Sequence, residues 1–86
     1  MKNKIEELET IISLVKGDLK SKENTLVETD AFTSHSQGSL NNISIKIKAL
    51  ELDAIEIKER YADKPNVFVN FRKRASEIIE EIASLS

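Results

Sequence analysis

Chemistry needs reactive side chains held close together, and this sequence offers few candidates. His35 is the single histidine, and it falls in the most polar stretch, after Asp30 and among serines. Asp, His and Ser are the ingredients of a nucleophilic hydrolase site. No G-x-S-x-G elbow surrounds any serine, however, and no oxyanion-hole signature is present. His35 therefore reads as a solvated loop residue. There is no H-E-x-x-H, and with no cysteine in the chain there is no Cys/His cluster either, so no metal site is expected. Gly17 and Gly38 stand alone, unlike the glycines of a phosphate-cradling loop. The paired carboxylates Glu6/Glu7 and Glu80/Glu81 read as solvated helix faces. No catalytic residue and no cofactor is assigned, and the chain is read as not an enzyme.

The one cluster that invites a ligand is Arg72-Lys73-Arg74, next to Phe71 and close in sequence to Tyr61 and Phe68. Three cations could contact phosphates, and the aromatic rings could stack on bases. Consecutive helical residues fan over about 200°, so one face presents only one or two of the three. The net charge of −2 adds no general attraction for a polyanion. Pairing of these cations with acidic side chains of the same protein, or of a partner subunit, is the favoured reading. Nucleic acid is the alternative.

These residues must be positioned by helices. From Ile43 to Tyr61 the apolar residues Ile43, Ile47, Leu50, Ala54, Ile57 and Tyr61 follow a four-three spacing, the seam of a helix packed on another helix. Ile45, Leu52 and Ile55 fall on the opposite side of that helix. A helix apolar on two sides is expected to lie in the middle of an assembly. Residues 43–48 also alternate like a half-buried strand, but the alternation breaks at Ala49-Leu50 while the helical seam continues. Upstream, Ile5, Leu8, Ile12, Val15, Leu19 and Leu26 form a similar seam if Lys22 fills the gap, with Ile11 and Leu14 widening it. Gly17 suggests close approach of a neighbouring backbone. Downstream, Phe68, Phe71, Ala75, Ile78, Ile82 and Leu85 make a third seam.

The spacing predicts helices over 3–27, 42–62 and 65–85, joined by a polar loop over 29–41 and a tight turn at Asp63-Lys64-Pro65-Asn66. Asp63 is a candidate cap for the third helix, with Pro65 in its first turn. Ser39, Asn41 and Asn42 are candidate caps for the second. The fold class is all-α: a small antiparallel helical hairpin or three-helix bundle forming one domain over 1–86. In an up-down-up arrangement the first and third helices run parallel. Glu6, Glu7 and Glu9 would then lie beside Arg72–Arg74, and Lys16, Lys20 and Lys22 beside Glu77, Glu80 and Glu81.

Eighty-six residues bury only about 60% of their unfolded surface, which makes an isolated core marginal. Completion by oligomerisation, as a dimer or higher, is therefore expected. A composition 40% hydrophobic and 33% charged suits helices with long solvated faces. No apolar run approaches the ~20 residues of a membrane span and no secretory signal is evident, so a cytoplasmic protein is the expectation, with leaderless secretion left open. The size, the helical pattern and a mid-chain turn at Gln37-Gly38 loosely resemble the WXG100-like secretion partners. The defining tryptophan is missing, as is any other, so no family is assigned. Small accessory proteins of phages and mobile elements are similar in size and fold class. The functional expectation is a helical adaptor, inhibitor or chaperone-type accessory protein. Its partner-binding residues would be Ile45, Leu52, Ile55, Tyr61, Phe68, Arg72, Lys73 and Arg74.

Overall fold

The computed structural model describes residues 4–85. Three helices account for most of them: α1 (Lys4–Glu28), α2 (Ser34–Arg60) and α3 (Pro65–Ala83). Each packs on both of the others, and no strand occurs among the described residues. The strand-like alternation at 43–48 lies within α2. The bundle is elongated, 46 × 24 × 16 Å.

The three predicted seams meet in one core. Leu8 and Val15 from α1, Ile43, Ile47, Leu50, Ala54 and Ile57 from α2, and Phe68, Phe71, Ala75, Ile78 and Ile82 from α3 are buried together. Ile5, Ile12, Leu19 and Leu85 pack partly buried against them. Phe68, Phe71 and Val15 are among the most deeply buried side chains. Two of the large rings thus come from the first half of α3.

The expected long loop over 29–41 is not a loop beyond Thr33. Residues 34–41 form the first two turns of α2. Thr33 caps the helix, its Oγ1 accepting from the Ser36 backbone N–H at 3.1 Å. Ser36 is buried but satisfied, its Oγ within hydrogen-bonding distance of Thr33 Oγ1 at 3.2 Å and of the Ala31 carbonyl at 3.4 Å. Gln37 Nε2 donates to Asn41 Oδ1 one turn on, at 3.0 Å. Small polar residues favour turns when their side chains compete for the backbone. Here those side chains are occupied with each other, and Leu40 supplies a buried anchor. Ser39, Asn41 and Asn42 are therefore interior helix residues, and Gln37-Gly38 is not a turn.

The connection that remains is tight. Asp30 adopts φ 61°, with its N–H donating to the Val27 carbonyl and the Ala31 N–H donating to Leu26. This is a Schellman C-cap with aspartate in the left-handed position usually held by glycine. At the other turn Lys64, not Asp63, is the N-cap of α3, and it makes no side-chain capping bond. Pro65 sits in the first turn as expected. Gly17 does not admit a neighbouring backbone: a β-carbon there would meet nothing within 4 Å, and the same is true of Gly38.

Ion pairs record the direction of the helices. Glu9 pairs with Lys58 at 3.8 Å and Lys16 with Glu51 at 3.2 Å, so one heptad forward on α1 is one heptad back on α2. Arg74 pairs with Asp53 and Glu81 with Lys46, the same antiparallel step between α3 and α2. Arg72 Nη1 donates to Glu7 Oε1 at 3.0 Å, joining the beginnings of the parallel helices α1 and α3. Of the expected α1–α3 pairings, Arg72–Glu7 is the one that forms an ion pair among the described residues. Arg74, Glu9, Lys16 and Glu81 pair with α2 instead, because in a three-helix bundle the edges of α2 lie against both neighbours.

Candidate interaction surface

The inward seam of α2 occupies two positions of a heptad, and the positions on either side of it carry the ion pairs. Glu51 and Lys58 face α1, and Lys46 and Asp53 face α3. What remains is an outward face, and there the structure places Ile45, Leu52 and Ile55. They are 65%, 68% and 52% exposed. Single exposed apolar residues are ordinary. Three on one face of one helix, beside exposed Ala49, form a stripe in need of a reason.

Continuing the four-three spacing along this outer face adds two charged residues. The stripe runs Ile45, Lys48, Leu52, Ile55, Glu59, the spacing of a second coiled-coil seam. Lys48 and Glu59 are exposed, and among the described residues neither takes part in an ion pair. Neither was among the expected partner-binding residues. The signal was the same repeat that located the inner seam, read from Ile45 instead of Ile43.

The other expected contact residues do not gather into a site with this stripe. Phe68 is 2% exposed and belongs to the core, so it is not a surface for stacking. A large ring at an inward seam position is worth more buried than exposed, by roughly 1.5–3 kcal/mol. Lys4 Nζ lies 5.4 Å from its ring centroid. Tyr61 is half-buried at the C-terminus of α2, its backbone N–H donating to the Ile57 carbonyl. Arg72 and Arg74 leave α3 on opposite sides, one toward Glu7 of α1 and the other toward Asp53 of α2. Lys73 lies between them, exposed and in no ion pair among the described residues. The three cations therefore do not converge on a common point.

Concave features are shallow. A polar recess of about 310 Å³ lies between the start of α2 and the end of α3, lined by His35, Ser36, Ser39, Asn42 and Glu81 among others. An apolar groove of about 180 Å³ between α1 and α2 is floored by Leu8 and Ala54 and edged by Ile55 and Lys58, continuing the outer stripe of α2 toward α1. Among the described residues no three metal-ligating side chains come together, and no helix is long and apolar enough to cross a membrane. Compared with protein-family models, curated proteins and solved structures, the chain matches none.

Proposed function

We propose that this chain is a non-enzymatic protein–protein interaction module, a small helical adaptor, inhibitor or chaperone-type accessory protein that binds through the outer face of α2. The observation that carries the reading is the exposure of Ile45, Leu52 and Ile55 on a face that the bundle's own core does not use. Covering such a stripe with another helix removes apolar surface from water, at about 25 cal/mol per Å². A cytoplasmic setting and self-association accompany this proposal.

Nucleic-acid binding through Arg72, Lys73 and Arg74 has less support, since two of the three already face carboxylates. The test compares the wild type with Leu52→Asp and with a control, Lys20→Asp, an exposed position on α1. Each carries a photo-crosslinker at Ile45 and is used in native host cells. A crosslinked protein adduct seen with wild type and control but lost with Leu52→Asp supports the reading, provided circular dichroism shows the variant folded. Adducts indifferent to Leu52→Asp overturn it, as does tight, salt-sensitive binding of an oligonucleotide.

A further inference from the structure

The outer seam of α2 has a charge order that identifies its occupant. Its five positions read apolar, basic, apolar, apolar, acidic: Ile45, Lys48, Leu52, Ile55, Glu59. If two copies of this seam ran parallel, Lys48 would face Lys48 and Glu59 would face Glu59, both repulsive. If they run antiparallel about a two-fold axis between Leu52 and Ile55, the four positions from Lys48 to Glu59 form complementary layers, and Ile45 lies opposite the C-terminal end of the other copy's α2. Leu52 then lies against Ile55 of the other copy, and Lys48 against its Glu59, twice over by symmetry. Polar residues within a helical seam are a recognised means of fixing register and orientation, at a cost in stability.

We infer that the occupant of the α2 outer face is a second copy of this chain, packed antiparallel with Leu52 against Ile55 and Lys48 against Glu59. This rests on the proposal that the face is an interaction surface, and it names the partner. Two observations support it independently of the apolar stripe. Four charged residues that flank the inner seam, Lys46, Glu51, Asp53 and Lys58, are ion-paired within the bundle, whereas Arg60, at the end of α2, forms no ion pair among the described residues. Among the described residues Lys48 and Glu59, on the outer seam, form no ion pair, and antiparallel pairing supplies each with one. A closed two-fold contact also uses the same patch on both copies and cannot propagate into a fibre.

The test is charge exchange, followed by sedimentation. The wild type should sediment as a dimer of the 9.7 kDa chain. Lys48→Glu alone and Glu59→Lys alone each create two like-charged layers and should weaken the dimer about tenfold or more. The double variant K48E/E59K should recover dimerisation. So should an equimolar mixture of the two single variants, because each then opposes acid to base in both layers. Circular dichroism should be unchanged throughout, as neither residue supports the bundle.

A monomeric wild type overturns the inference, as does a dimer insensitive to both single changes or one that the mixture fails to restore. A monomeric wild type also removes the self-association from the broader reading, whereas binding of another protein through this face stands or falls separately on the crosslinked adducts at Ile45.

Discussion

Three residues hold conformations or positions that their side chains do not favour. Asp30 sits at φ 61°, where an L side chain crowds the following carbonyl at a cost of roughly 1–2 kcal/mol. Glycine carries no such penalty, although its greater freedom in the unfolded chain offsets part of the gain. Asp30→Gly should therefore raise stability by up to about 1 kcal/mol, and Asp30→Val should lower it, in urea titrations. Gly17 and Gly38 lie in helix interiors with open space where a β-carbon would point. Replacing either with alanine should add about 0.5–1 kcal/mol. At this chain length that is a rise of several degrees in the thermal midpoint. If Gly17→Ala destabilised the fold, a neighbour would have to approach more closely than the structure shows.

At the scale of the element, the start of α2 is the segment where local chemistry and tertiary packing had to cooperate. Its sequence, SHSQGSLNN, is poor helix material by propensity. It is helical because Thr33 caps it and Leu40 buries itself. Thr33→Ala should cost about 0.5–2 kcal/mol and should fray residues 34–41 first, which amide hydrogen exchange would register as lost protection there. Uniform loss of protection along all of α2 would contradict that assignment. The seam carries a sign of this extension: three residues before Ile43 is Leu40, and four before that is Ser36, both buried. The polar composition masked it, since a serine at a seam position does not look like core.

Across the whole molecule, the ion pairs set register more than stability. Arg72 and Glu7 are 45% and 40% exposed, so their pair is worth about 0–1 kcal/mol. Arg72→Glu should destabilise by no more than about 1 kcal/mol, and adding Glu7→Arg should restore most of it in a double-mutant cycle. Equal losses in the single and double variants would show that the two side chains are not coupled. The core responds on another scale. Leu50→Asp buries a charge among the three helices and should unfold the domain, whereas Leu52→Asp, two residues on and facing outward, should leave the circular dichroism intact. That contrast separates the face that makes the fold from the face proposed to bind.

The helical class, the number of helices and the inward residues of all three followed from the sequence, because a four-three repeat of apolar side chains leaves no other regular structure able to bury them together. Exposure of Ile45, Leu52 and Ile55 followed in the same way, as the far side of a helix whose near side was assigned. Packing decided the rest. Phe68 lies on the predicted seam and is also an expected contact residue, and packing decided for the core; which helix each of the cations at 72–74 would meet was likewise left to packing. Nor could the sequence say that the edges of α2 would draw in Arg74 and Lys16. Each of these depends on which two helices flank a given edge. That is a property of the assembled bundle, absent from any stretch of chain read alone.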